Sequence, residues 1–170
     1  MRLLAVILTL LQLLALFSRS WAGVPEDSCK DAGTLAVSVE LKPPADVGLA
    51  GVKVILDYPE DELKIPGFQN DAKVKERVHL VPQGFMFAPN DTDTELILAV
   101  AGTHALPAGT LFTVEFNRCT RDASIRAADF HCKVDQASDE HAKSVDGATC
   151  SVNINDKVDE PMTKHEGGAR

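Results

Sequence analysis

The segment from residue 50 to residue 66, AGVKVILDYPEDELKIP, constrains the fold of this chain more than any other. Alternate residues up to Tyr58 are apolar, and Lys53 and Asp57 lie on the opposite side of the same extended segment. A repeat of two residues is typical of a β-strand that buries one face. We expect the strand to end at Tyr58, because Pro59 fixes its own φ and has no amide hydrogen to donate to a sheet.

Several other segments show the same alternation, with turn residues between them. The clearest expected strands are 34–41, 50–58, 95–100 and 110–116, and shorter or weaker ones are expected at 63–65, 74–81, 84–87, 130–134 and 150–154, with a turn at 90–94. Beyond the N-terminal leader, no window has the 3.6-residue apolar repeat of a helix. Eight or nine short strands at this spacing predict an all-β chain, a two-sheet antiparallel sandwich of jelly-roll type.

The N-terminus has the pattern of a secretory signal peptide. Arg2 precedes an almost uninterrupted apolar run at 3–17, and the small residues Ser20 and Ala22 suit cleavage after Ala22. We therefore expect a signal-peptide helix over residues 1–22 and a secreted protein, either extracellular or periplasmic. An uncleaved membrane anchor is the alternative, although the apolar run is short for a transmembrane helix.

The rest of the chain is expected to form one domain. Residues 23–33 would lead into a sandwich over residues 34–154, and the polar stretch 155–170 has the composition of a disordered tail. The formal net charge is −8 and the sequence has no basic cluster, so the chain would repel phosphate backbones. Nucleic acid is therefore not an expected partner, and no membrane association is expected after cleavage of the signal peptide.

Four cysteines follow the predicted signal peptide, and an even number in an exported chain indicates disulfides. They are Cys29, Cys119, Cys132 and Cys150. Three pairings are possible. The favoured one joins Cys119 to Cys132 across a short loop and Cys29 to Cys150 across most of the domain. The cysteine spacings lack a CxxC pair, which disfavours a zinc site.

The sequence contains no familiar catalytic motif. Its histidines do not form HExxH, GxSxG is absent, and no glycine-rich loop precedes a helix. His131 adjoins Cys132, but neighbours along a strand point to opposite faces, and the cysteine is expected to be oxidised. The segment Asn90–Glu95 is rich in oxygen ligands and contains the sequon Asn90-Asp91-Thr92, yet it lacks the glycine and distal glutamate of a calcium loop, so a solvated turn is preferred. We expect no enzymatic activity, no metal and no cofactor.

Two surfaces are candidate binding sites. A mixed apolar and polar patch would form if the strands at 95–100 and 110–116 face the same way, and such a patch suits a protein partner. Its residues would be Glu95, Ile97, Thr113 and Glu115. The equally weighted alternative is that Ile97 is covered. For a sugar ligand, Phe85 and Phe87 are the best aromatic candidates, although core packing is the preferred role for both.

One known family shares this strand layout. The matching segments are Leu35–Val39, Gly51–Leu56 with Tyr58 and Leu63 in the turn that follows, Gly67, Leu96–Ala99, Gly109–Phe116 and Cys150–Ile154. In this order they resemble a cohesin domain, over about residues 34–154. Cohesins are extracellular β-sandwich modules that bind dockerin modules. The resemblance therefore implies a secreted, non-catalytic module that binds a dockerin-like protein through a sheet face. A carbohydrate-binding module for polysaccharide recognition or breakdown, which shares the sandwich, is the alternative.

Overall fold

The structure is a computed structural model that describes Cys29 and residues 32–92, 94–121 and 123–155. The predicted signal peptide lies outside the described residues, as do residues 156–170 of the predicted tail. Neither helical segment in the described part of the chain has the length and apolar character that a membrane crossing requires.

Nine strands in the described residues form two antiparallel sheets, which confirms the predicted all-β sandwich. The strands are β1 (Thr34–Lys42), β2 (Gly51–Asp57), β3 (Leu63–Lys64), β4 (Val78–Leu80), β5 (Met86–Asp91), β6 (Glu95–Ala101), β7 (Gly109–Arg118), β8 (His131–Ser138) and β9 (Thr149–Asn155). A short helix, α1 (Ala72–Arg77), precedes β4, and a 3₁₀ turn (Ala127–Asp129) precedes β8. The five-stranded sheet has the order β3–β7–β1–β9, with β4 also paired to β7, and the four-stranded sheet has the order β5–β6–β2–β8.

The core lies between the two sheets and is built by alternation along each strand. Val54 and Leu56 of β2 are fully buried, whereas Ile55 between them points away from the core. Aromatic rings fill one end of this layer: the ring centroid of Phe116 lies 4.8 Å from that of Tyr58 and 6.0 Å from that of Phe130. Because every long strand contributes alternate side chains, the two sheets share one apolar interior.

The segment expected as a weak strand at 74–81 is helical in its first half, so that prediction was wrong there. Asp71 caps α1, since its Oδ1 accepts a hydrogen bond from the amide of Val74 at 3.0 Å. The same hydrogen bond holds the pKa of the Asp71 carboxyl below its ordinary value. Val74 is the one buried residue of α1, and Val78 follows it at a spacing of four residues. That spacing suits a helix face as well as a strand.

The turn between β5 and β6 is shorter than the 90–94 expected, because Asn90 and Asp91 still belong to β5. Asp91 is buried and accepts a hydrogen bond from the Tyr58 hydroxyl at 2.8 Å. The Thr92 hydroxyl donates to the carbonyl oxygen of Glu95 at 3.0 Å and helps to close the hairpin. Asp91 therefore has a structural role that links the turn after β2 to the end of β5.

Two disulfides are present, but the favoured pairing was wrong. Cys29 joins Cys119, and Cys132 joins Cys150. Cys119 follows β7 in the five-stranded sheet, whereas Cys132 lies in β8 at an edge of the four-stranded sheet, so the short loop between them in sequence does not bring them together. Cys132 instead faces Cys150 of β9, the edge strand of the other sheet, and their bond links the two sheets along one side.

Candidate docking face

The outer surface of the four-stranded sheet is the candidate functional site, and we call it the four-strand face. Strand register arranges its side chains in four rows. The rows are Met86, Ala101, Gly51 and Ser138; then Ala88, Ala99, Lys53 and Gln136; then Asn90, Ile97, Ile55 and Lys133; then Glu95, Asp57 and His131. These residues point outward because their neighbours in each strand form the core.

Small and apolar side chains dominate this face. Ala88, Ala99 and Ala101 are exposed, and Met86 retains 77% of its accessible surface. Ile55 and Ile97 are directly opposite each other in the ladder and half-buried. The exposure of the alanines shows that no described element packs over the centre of the face. Exposed apolar side chains grouped on the outer face of an antiparallel sheet mark a candidate interaction site.

The outer surface of the five-stranded sheet, the five-strand face, has a different character. Its central rows carry hydroxyl, amide and charged side chains: Ser38, Glu40, Thr113, Glu115, Ser151 and Asn153. An ion pair crosses part of it, with Nη1 of Arg77 lying 3.4 Å from Oε2 of Glu115. Glu115, Ser151 and Asn153 are exposed and Glu40 and Thr113 are half-buried, whereas Ser38 is buried.

The four residues predicted to form one patch are divided between these two faces. Glu95 and Ile97 lie in β6 on the four-strand face, whereas Thr113 and Glu115 lie in β7 on the five-strand face. The chain crosses from one sheet to the other in the loop between β6 and β7, so the strands are consecutive in sequence but face opposite ways. A single mixed patch of these four residues does not form, and Ile97 instead adjoins small side chains that the sequence analysis did not single out.

A β-bulge supplies the main charges of the four-strand face. In the pairing of β2 with β8, Lys53 is opposite Gln136 and Val54 is opposite Val134, which leaves Asp135 as the extra residue. Oδ2 of Asp135 lies 2.9 Å from Nζ of Lys53, and Oδ1 lies 3.6 Å from Nζ of Lys133. The hydrogen bond from Lys53, reinforced by both ammonium charges, lowers the pKa of the Asp135 carboxyl.

Two carboxylates lie opposite each other at the end of the face near the β5–β6 turn. Asp57 of β2 is the direct cross-strand partner of Glu95 of β6. Like charges in this position destabilise a sheet. We expect Glu95→Gln to raise the free energy of unfolding by about 0.2–1 kcal/mol, measured by urea denaturation. The control is Glu40→Gln on the five-strand face, because the cross-strand partners of Glu40 are Thr110 and Ser151. A loss of stability in Glu95→Gln alone would contradict this account.

The two phenylalanines considered for sugar binding do not form a shared platform. Phe85 is half-buried, and its ring centroid lies 4.3 Å from that of His104 at an interplanar angle of 51°. The same ring packs against the backbone of Gly102, where an added Cβ would collide with it. Phe87 is 38% exposed at the edge strand. Flat stacking on a sugar needs exposed coplanar rings, and these two residues lack that arrangement.

The described residues contain no cluster of three or more histidine, cysteine, aspartate or glutamate side chains suited to a metal ion. Asp91, within the oxygen-rich segment, is directed at Tyr58. Cys132, beside His131, is held in a disulfide.

Comparison with known proteins gives a limited likeness. No family model and no curated protein matches the sequence. Among solved structures, the chain is similar to the sixth cohesin of scaffoldin B from Acetivibrio cellulolyticus, crystallised in complex with a mutant Cel5 dockerin. The two share 13% identity with a TM-score of 0.45, over 68% of this chain and 83% of that one. A likeness at this level carries no argument about what this protein binds.

Proposed function

We propose that this protein is a secreted, non-catalytic recognition module that binds a protein partner through its four-strand face. The contrast between the two outer surfaces of the sandwich carries the proposal. One carries mostly polar side chains, whereas the other exposes alanines, a methionine and a pair of isoleucines beside the charged groups of Lys53, Asp135 and Lys133. Exposed apolar side chains adjoining polar and charged ones are the pattern of protein–protein interfaces.

Two further observations support this function. The chain carries two disulfides, which form and persist in oxidising compartments and so agree with export. The four-strand face is also built on regular strands, so its side chains keep a fixed arrangement before binding and little ordering entropy is lost. The cohesin-like order of strands in the sequence suggests a dockerin-like module as the partner.

The test is a pair of substitutions, one on each face of the sandwich. Ile97→Asp places a charge on the apolar surface and is expected to reduce partner binding at least tenfold, because the apolar contact is lost and a carboxylate must be desolvated in the interface. Thr113→Asp makes a similar change on the five-strand face and is expected to leave binding unchanged. Binding would be measured by calorimetry, first with purified dockerin modules and then with proteins captured from the host's secreted fraction.

The two variants also distinguish the alternatives. If Thr113→Asp loses binding and Ile97→Asp keeps it, the binding site lies on the five-strand face. Retention of glycans by the wild-type protein, abolished by Phe87→Ala and unaffected by Ile97→Asp, would favour the carbohydrate-binding alternative. Thermal melting of each variant checks that the sandwich remains folded.

A further inference from the structure

A groove lies at one end of the four-strand face, above the first residue of β2. Gly51 forms its floor because it has no side chain, and Ala99 and Ala101 of β6 form a low wall on one side. The other wall consists of Ser138 and the loop after β8, which includes Ala142 and Ser144. The groove has a volume of about 430 Å³, within the range of about 300–1,000 Å³ typical of ligand sites.

The loop wall of the groove is held in place by hydrogen bonds. Oδ1 of Asp139 accepts from the amides of His141 and Lys143, both at 2.9 Å. The hydrogen bond from Lys143 is the largest cause of the lowered pKa of the Asp139 carboxyl. A backbone bond from Val145 to Ala137 at 2.9 Å then returns the chain to the strand. The groove is therefore formed before any partner arrives.

The side chains beside the groove carry more positive than negative charge. Lys53 is the one charged residue that lines it, and its side chain is 36% exposed. Asp135 is shared by Lys53 and Lys133, so these three neighbouring side chains carry two ammonium groups and one carboxylate. Their net charge is +1 on a chain whose formal net charge is −8, and the carboxylates of Asp57 and Glu95 lie at the opposite end of the face from the groove. A carboxylate on the partner could bind Lys53 while Lys133 continued to neutralise Asp135.

We infer that the groove receives an apolar side chain of the partner and that an acidic residue beside it pairs with Lys53, while Lys133 continues to neutralise Asp135. This inference rests on the proposed function and names the chemistry of the partner at that face. The apolar side chain would contact the methyl groups of Ala99 and Ala101 above Gly51. The carboxylate would form a charge-assisted hydrogen bond at the rim, where charge complementarity sets orientation and specificity.

The probe is a library of random linear peptides displayed on phage and selected against the folded wild-type protein. We expect the enriched peptides to share an apolar residue next to aspartate or glutamate. Gly51→Leu fills the groove and is expected to weaken their binding at least tenfold, and Lys53→Gln to weaken it about three- to tenfold. The matched controls are Ala36→Leu in β1 and Lys64→Gln in β3, both on the five-stranded sheet, and neither should change binding.

The Gly51 variant is expected to fold. Gly51 has no positive φ, and an added Cβ would lie 2.7 Å from the Ser138 hydroxyl, which must rotate away, and 3.7 Å from the Val100 carbonyl oxygen, an ordinary contact. Thermal melting checks this directly. A second selection, on Lys53→Glu combined with Lys133→Glu, should enrich lysine or arginine in place of the acidic residue.

Several results would overturn the inference. The selected peptides could lack a preference for aspartate or glutamate, or bind Gly51→Leu as tightly as the wild-type protein. The selection on the charge-reversed variant could still enrich acidic residues. The wild-type protein could also enrich no more peptides than an unrelated protein does. If the natural partner is lost in Ile97→Asp but retained in Gly51→Leu, the groove inference fails and the four-strand face stands. If neither change affects partner binding, the proposed function fails as well.

Discussion

Replacing Cys29 and Cys119 together by alanine is expected to lower the free energy of unfolding by about 4–5 kcal/mol. This disulfide joins residues 90 positions apart, and in the chain-entropy model a longer closed loop removes more freedom from the unfolded chain. The bond also fixes the chain before β1 to the end of β7, next to the backbone bond from Arg118 to Gly33 at 2.8 Å. Urea denaturation with linear extrapolation measures the change.

The second disulfide provides the matched comparison. Cys132 and Cys150 are 18 positions apart, so their joint replacement is expected to cost about 3 kcal/mol. A domain of this size is typically stable by about 5–15 kcal/mol, so either loss would be a large fraction of the total. A larger loss for the Cys132–Cys150 pair would contradict the loop-length account and would show that the link between the two sheet edges matters more.

The individual strands could be predicted because alternation is a local signal. The patterns around Val54 and Leu98 predicted β2 and β6 to within a residue or two of their observed limits. The helix α1 was missed because Val74 and Val78 fit either a strand or a helix, although Asp71 as a cap and Arg77 in the last turn were signals for a helix start and end. Local patterns therefore predicted most elements and failed where two periodicities coincide.

The disulfides and the site depend on which sheet each strand joins, and the sequence carries little information about that. Short sequence separation favoured Cys119 with Cys132, but strand order places them in different sheets. The chain also changes sheet between β6 and β7, which places Ile97 and Thr113 on opposite faces. Gly51 and Ala99 gave no signal of their own, because small residues become a groove only when neighbouring strands bring them side by side.

The sandwich therefore has two outer surfaces with different physical properties on one shared core. The five-strand face carries mostly polar side chains, several of which are exposed. The four-strand face exposes methyl groups, and the free energy gained on covering them is about 25 cal/mol for each Å² removed from water. Lys53 and Asp135 add a directional, charged interaction to this non-directional attraction. The charges would therefore decide which partner binds, and the apolar rows would decide how tightly it binds.

Phe116→Ala is expected to lower the free energy of unfolding by about 3–5 kcal/mol, because truncating a fully buried phenylalanine removes its transfer energy and leaves a cavity. The neighbours of Phe116 cannot easily fill that cavity. Tyr58 is held by its hydrogen bond to Asp91 at 2.8 Å, and Phe130 directly follows the 3₁₀ turn, so the loss should lie in the upper part of the range.

The matched control is Phe87→Ala at the edge of the four-stranded sheet, where the ring is 38% exposed and the expected loss is about 1 kcal/mol or less. Both variants would be unfolded in urea and followed by circular dichroism. Because Phe116 points into the core and the four-strand face points away from it, any Phe116→Ala protein that remains folded should still bind the partner. Equal losses of stability in the two variants would mean that the sheets do not close over the aromatic layer as described. A loss of binding in folded Phe116→Ala protein would mean that the face is not independent of the core beneath it.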